Sequence, residues 1–227
     1  MNNLNFYVIN GSPRKNNNTG KLLDEAVAGI LDKTCDLDAE VNVEIIDLYS
    51  LDYKGCMSCF ACKRIDGPFY GTCPINDDLK PLLEKLWNAD GIIIGTPIYF
   101  SNINGETESF LERFRFPKYV YGGGPLLEKS IPMGLIYTMN VDEKLSDKLY
   151  KETIYEPLES GLSGLLLKDV YSLKVYDTYQ FDDYSKYENY LFKEEDKAIH
   201  QQKQFPRDLK KAYEMGVQIA EDTIKGN

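Results

Sequence analysis

The sequence predicts an α/β fold of three layers: a five-stranded parallel sheet of order 2-1-3-4-5 with helices on both faces. Three observations predict it. Short apolar segments alternate with segments of helical period along most of the chain. One of them, GIIIGT at 91–96, is apolar throughout, as a central strand covered on both faces must be. The first strand ends in a polar, glycine-containing turn that leads straight into a helix. In such sheets, ligands sit at the carboxyl ends of the strands where the winding reverses.

Each element has its own signal. LNFYVI at 4–9 is apolar and rich in aromatic and β-branched residues, and Asn10-Gly11 closes it. From Thr19 onward Leu22, Leu23, Ala26, Val27, Ile30 and Leu31 recur at helical spacing. VNVEIIDL at 41–48 alternates like a second strand, GIIIGT is the third, and IPMGLIYT and DVYSLKVY supply the fourth and fifth. Helical patterns lie between them: DDLKPLLEKLWNA from 77, GETESFLERFRF from 105, and a long one near 142–167. The last helix starts at FPRD, where Pro206 suits a first-turn position, and points Leu209, Ala212, Tyr213, Gly216 and Ile219 inward. Ligand-bearing loops are therefore expected at 10–19, 96–104 and 138–142.

The chain has 227 residues, which suits one domain, 1–227, carrying two excursions: a Cys-rich loop at 50–76 and a Tyr-rich insertion at 177–205. The second is poor in aliphatic residues and is expected to pack against something, as a lid, a dimer arm or a surface excursion. With 36 acidic against 26 basic side chains, the net charge of -10 repels nucleic acid and anionic membrane. No charged leader precedes LNFYVI and no apolar run approaches the roughly 18 residues of a spanning helix, so a cytoplasmic protein is expected. The single histidine, His200, lies in the charged stretch KEEDKAIHQQK and reads as a solvated surface residue. Without a second histidine, Ser-His-Asp and HExxH chemistry lose their base and their ligands.

The turn after the first strand reads GSPRKNNNTGK. A Walker A loop needs four residues between its glycines and a Ser or Thr after the lysine. Here eight residues separate Gly11 from Gly20, and Leu22 follows Lys21. The dinucleotide fingerprint G-x-G-x-x-G is missing as well. What remains is Ser12, Asn18 and Thr19 as short polar donors, a helix start, and Arg14 as a fork. That set favours one phosphate dianion; its alternative is a polar capping loop with Asn18 or Thr19 as the N-cap.

This loop, Gly-Ser-x-Arg followed by Asn-Thr, together with ADGIIIGTPIYFSNINGETESFLERF, resembles the flavodoxin-like NAD(P)H-dependent FMN reductases. The resemblance implies that Ser12, Arg14, Asn18 and Thr19 hold the FMN phosphate. Pro97, Ile98, Tyr99, Phe100, Ser101 and Asn102 would line the isoalloxazine ring, and Thr138 and Met139 would border its other side. Pro97 is expected to stop the third strand and turn the backbone across the sheet edge; Tyr99 and Phe100 offer flat surface, or simply pack under the loop. The implied activity is hydride transfer from NAD(P)H through FMN to a small acceptor such as a quinone, nitro compound, flavin or metal ion. No catalytic side chain is expected, because the cofactor carries that chemistry. The rival is an electron carrier between proteins, of flavodoxin or iron-sulfur flavoprotein type. A homodimer or homotetramer is implied, with 177–205 as the candidate contact. One departure is Glu108-Ser109-Phe110, where many relatives have a lysine, a small residue and Phe; any role of that lysine is not carried over.

Cys56, Cys59 and Cys62 stand at C-x2-C-x2-C spacing, and Cys73 follows after ten residues. The triplet is a ligand pattern for four-iron clusters. It also resembles the iron-sulfur flavoprotein branch of the same family, although there the fourth cysteine follows sooner. A four-thiolate zinc site and four reduced thiols near the flavin are the alternatives.

Overall fold

The computed structural model describes residues 3–226. Strand β1 (Asn3–Asn10) alternates its side chains between two cores, as the strand period requires: Leu4, Phe6 and Val8 enter one, Tyr7 and Ile9 the other. β2 (Glu40–Asp47), β3 (Gly91–Tyr99), β4 (Asn102–Ile103), β5 (Met133–Thr138) and β6 (Val170–Val175) complete the sheet. The parallel strands run β2-β1-β3-β5-β6, which is the expected winding, and β4 pairs antiparallel with the end of β3. The sheet thus has six strands rather than five.

The extra strand follows from where β3 ends. β3 does not stop at Pro97 but continues to Tyr99, with Pro97 in register with Thr138 of β5. On its other side, β1 has already ended, with Asn10 opposite Gly95, so the missing N–H of Pro97 removes no bond from that ladder. Phe100 (φ 47°) and Ser101 (φ 63°) then make a two-residue hairpin turn into β4. Both are left-handed non-glycine residues, each held at a cost of about 1–2 kcal/mol.

Helices α1 (Asn18–Thr34), α2 (Leu79–Leu86), α3 (Gly105–Arg115), α4 (Glu143–Tyr150), α5 (Glu156–Leu166), α6 (Glu194–Lys203) and α7 (Phe205–Gly226) cover the sheet. α1 and α7 pack on the Leu4–Phe6–Val8 side, burying Leu22, Leu23, Ala26 and Ile30 against Ala212, Met215 and Ile219. Each large aliphatic side chain so buried contributes about 1.5–3 kcal/mol. Of the inward set expected on α7, Ala212, Gly216 and Ile219 are buried, while Leu209 and Tyr213 are partly covered. Buried side chains of α2, α3 and α5 fill the opposite side with Ile92, Ile94, Leu135 and Tyr137. The long helix expected at 142–167 is interrupted: a π turn at Lys151–Tyr155 separates α4 from α5. Pro157, in the first turn of α5, has no N–H for the carbonyl four residues back, and the wider turn absorbs that gap.

Segment 177–205 packs on its own chain. It contains a 3-10 turn at Tyr184–Lys186 and then α6. His200 is partly buried rather than a solvated surface residue, its side chain 24% exposed. α6 turns Lys197 and His200, three residues apart, onto the same carboxylate, and His200 Nδ1 lies 3.1 Å from Asp177 Oδ2. No described helix is long and apolar enough to cross a membrane.

The contact between α1 and α7 is backbone to backbone. A methyl group at Gly216 would lie 1.9 Å from the carbonyl oxygen of Ala26, and one at Gly29 would lie 2.1 Å from that of Tyr213. Gly216→Ala is therefore expected to force the helices apart and lower unfolding free energy by about 1–3 kcal/mol. Urea denaturation should show this as a lower midpoint with an unchanged m-value.

Candidate functional site

A cleft opens at the carboxyl ends of β1, β3 and β5, where the winding reverses. The loop after β1 is shaped by its own short polar side chains. Gly11 N donates to Gly95 O at 2.8 Å, tying the loop to β3. Asn10 Oδ1 accepts from Ser12 N (3.0 Å), and Ser12 Oγ accepts from Arg14 N (3.2 Å). Asn10 Nδ2 in turn donates to Asp47 Oδ1 at the end of β2, and Lys15 pairs with the other oxygen of that carboxylate at 2.8 Å. With Lys15 so engaged, the cation lining the cleft is Arg14.

The N-cap of α1 is Asn17, not Asn18 or Thr19, and its side chain makes no capping bond. No acidic residue stands in the first turn. The partial positive charge of the helix start is thus left for an external anion.

Of the twelve residues expected to hold the cofactor, nine line this cleft: Ser12, Arg14, Asn18, Thr19, Pro97, Ile98, Tyr99, Thr138 and Met139. Phe100, Ser101 and Asn102 do not. They belong to the β3–β4 hairpin, where Phe100 is fully exposed and Asn102 Oδ1 accepts from Ile103 N. Thr19 and Thr138 are bonded to each other, Oγ1 to Oγ1 at 2.8 Å, joining α1 to β5. The Met139 sulfur lies 3.1 Å from Ser146 Oγ and 3.2 Å from Tyr155 Oη, which fixes this side chain at the cleft wall.

Four lining residues were missed in the sequence: Asn17, Asn140, Thr178 and Gln180. Asn17 and Asn140 each lie beside an expected residue. Thr178 and Gln180 come from the Tyr-rich insertion, and nothing in their composition points to the cleft. Asn104, which lies under the loop, was also missed. Its Oδ1 caps α3 at Thr107 N and accepts from Thr96 Oγ1, while its Nδ2 donates to Gly11 O.

The cleft suits a phosphorylated flavin. It offers an uncapped helix start beside Arg14, of which only Nη1 is engaged among the described residues. Asn140, which lines it, has a buried Oδ1 with no donor among the described residues. A buried carbonyl left unpaired costs about 1–3 kcal/mol, so a ligand carrying an N–H or hydroxyl there would relieve it. Tyr99 lines the wall with its hydroxyl pKa pushed up by burial, against the opposing pull of Arg14.

The Cys-rich loop is clamped to α3. Arg113, 1% exposed, donates to Lys54 O and Ile75 O near the two ends of the loop and forms a forked pair with Asp77. Burial alone would lower the Arg113 pKa; its bonds to Asp77 and Cys73 outweigh burial and raise it. Cys56 N donates to Glu112 Oε2 at 2.8 Å. The four thiols have unlike surroundings: Cys59 is exposed, Cys56 partly covered, Cys62 buried, and Cys73 buried beside Arg113. Burial pushes the Cys62 thiol pKa up, and neighbouring Cys56 and Cys59 add to the rise. Among the described residues no three His, Cys, Asp or Glu side chains converge on a site able to hold a metal ion.

Comparison with known proteins places these features in context. Residues 4–144 match the family model described as NADPH-dependent FMN reductase. An iron-sulfur flavoprotein of Methanocaldococcus jannaschii is 35% identical over 107 residues, covering 47% of this chain and 50% of that protein. One from Archaeoglobus fulgidus is 37% identical over 113 residues, half of each chain. The chain thus spans about half the length of the curated relatives it matches. Among solved structures, an NAD(P)H:quinone oxidoreductase from Methanothermobacter marburgensis superposes with a TM-score of 0.67 at 14% identity, covering 96% of this chain and 98% of that one. An FMN-dependent NADH-azoreductase from Bacillus anthracis, solved with FMN, gives 0.60 at 14% identity over 97% and 98%. These likenesses show the flavodoxin-like fold. By its match to the family model, the chain belongs to the NADPH-dependent FMN reductase family.

Proposed function

We propose that this chain binds FMN in the cleft at the ends of β1, β3 and β5 and uses NAD(P)H to reduce a small acceptor. The observation that carries the reading is the pairing, in one cleft, of an anion-ready helix start beside Arg14 with the unpartnered acceptor Asn140 Oδ1. Bound FMN would supply the chemistry, taking hydride from reduced nicotinamide and passing electrons onward. The chain's residues would bind and orient it. Ser12, Arg14, Asn18 and the first turn of α1 hold the phosphate. Pro97 to Tyr99 form one wall for the ring, and Thr138 to Asn140 form the other.

Among the described residues, the titratable groups lining the cleft are Arg14 and Tyr99. Neither is a base at neutral pH: a guanidinium has no acceptor for a proton, and burial raises the Tyr99 pKa. The side chains therefore serve to position and not to move protons. Quinones, nitro compounds, free flavin and metal ions are the acceptor classes, and the names of the quinone oxidoreductase and azoreductase neighbours support the first of these and reducible aromatics generally.

The second reading, an electron carrier between proteins, is favoured by relatives named iron-sulfur flavoproteins and by the Cys56–Cys59–Cys62 triplet. Anaerobic mixing of the FMN-loaded chain with NADPH or NADH separates the two. Rapid loss of the bound flavin's visible absorbance with one of the nucleotides is expected. Loss with neither would overturn the reductase reading and leave the carrier.

Arg14→Ala removes a charge-assisted partner worth about 1.5–3 kcal/mol. FMN affinity should fall about ten- to a hundredfold in a fluorescence titration, while excess FMN restores the rate of nucleotide oxidation. Unchanged affinity would place the phosphate elsewhere.

A further inference from the structure

The Tyr-rich insertion lies outside the stretch matched by the family model, yet it forms part of the cleft. It leaves β6 and runs against the end of β5. Asp177 N donates to Val141 O at 2.8 Å, and Thr178 N and Oγ1 both donate to Met139 O. The next two residues reach the cofactor loop. Tyr179 O accepts from Asn18 Nδ2 at 2.9 Å, and Gln180 O accepts from Arg14 Nη1 at 2.7 Å. The Gln180 side chain turns the other way, its Oε1 accepting from Asn140 Nδ2 at 2.8 Å. One residue thus bridges the phosphate loop and the β5 loop.

This bridge is anchored. Lys197, with its side chain 2% exposed, pairs with Asp177 and donates to Asn140 O, and its ammonium lies 4.2 Å from the centre of the Phe192 ring. His200 takes the other oxygen of Asp177. A buried ammonium costs several kcal/mol unless it is paired and hydrogen-bonded, and here it is both. The insertion's own aromatics brace it: Gln180 N donates to Tyr184 Oη, and Phe181 stacks on Tyr187 at 4.1 Å. A mobile lid has few buried contacts; this segment has an ion pair with a buried lysine and main-chain bonds to Met139 and Val141 in the loop after β5.

We propose that residues 177–203 are a fixed wall of the flavin site, in which Gln180 is a positioning residue for Arg14 and Asn140, and Lys197 anchors Gln180. The proposal rests on the FMN reading above. Its logic is one of donor and acceptor allocation. By taking Nη1 of Arg14, the Gln180 carbonyl fixes the guanidinium and leaves its other N–H groups for phosphate. By taking Nδ2 of Asn140, the Gln180 amide leaves Oδ1 as the group offered to the ligand. The ligand donor at that point is an N–H or a hydroxyl, and a flavin ring and its ribityl chain carry both.

The test is titration of the full chain with FMN and with riboflavin, which lacks the phosphate, followed by flavin fluorescence. Gln180→Leu keeps the main-chain bond to Arg14 but loses the bond that orients Asn140. It should weaken FMN and riboflavin alike, by about three- to tenfold, the range of one ordinary hydrogen bond. Lys197→Met frees the whole wall and so also loosens Arg14. It should weaken FMN more than riboflavin, and this lowered FMN-to-riboflavin preference is a change that general destabilisation does not produce. FMN binding within twofold of wild type in both variants would overturn the proposal. Tighter binding would also overturn it, by showing that the segment competes with the phosphate. If Lys197→Met fails to fold by far-ultraviolet circular dichroism, Gln180→Leu alone decides. If the wild-type chain binds no FMN, the cofactor reading fails and the wall proposal with it; binding with unaffected variants overturns the wall alone.

Discussion

At Gly11 the chain leaves β1 with its N–H bonded to Gly95 O at 2.8 Å, and a methyl group there would sit 2.0 Å from Thr107 Oγ1. Three elements meet at that point: the end of β1, the middle of β3 and the first turn of α3. Asn104 joins them, capping α3 with one atom of its amide and holding Gly11 O with the other. The join has a cost, since Thr107 Oγ1 is itself buried without a partner. The loop that follows can then turn through Asn10, Ser12 and Arg14 and deliver an uncapped helix start to the mouth of the sheet. A side chain at position 11 would push this loop off β3 and move the helix start with it.

Both excursions from the sheet are held in one way. Each is poor in aliphatic residues and cannot bury enough apolar surface to fix itself. Each is fixed instead by one buried cation that pairs with an aspartate and donates to main-chain carbonyls. Arg113 holds the Cys-rich loop through Asp77, Lys54 O and Ile75 O. Lys197 holds the Tyr-rich wall through Asp177 and Asn140 O. The difference in chemistry follows the task. Arginine's planar fork spans two ends of a loop, whereas a lysine ammonium fastens one point.

Most of the sheet was legible because strand and helix periods are local. The winding followed from the alternation of elements, and the polar loop after β1 followed from residues within one turn of each other. What was hidden depended on long-range partners. Pro97 reads as a strand stop until β1 is seen to end at Asn10, and the two-residue turn at Phe100-Ser101 lacks the glycine or asparagine that marks such turns. Gln180 reaches Arg14 across 166 positions and Asn140 across 40, and no periodicity records such bonds. Spacing groups Cys56, Cys59 and Cys62 and sets Cys73 apart, but it does not record that the fold gives Cys73 to Arg113 and leaves Cys59 exposed.

In the proposed function, the loop from Gly11 to Thr19 holds one monoester phosphate. The most direct measurement is the affinity of the wild-type chain for FMN relative to riboflavin, which differ by that phosphate. Two charge-assisted hydrogen bonds of about 1.5–3 kcal/mol each predict that FMN binds at least about a hundredfold more tightly. Equal affinities would contradict the claim.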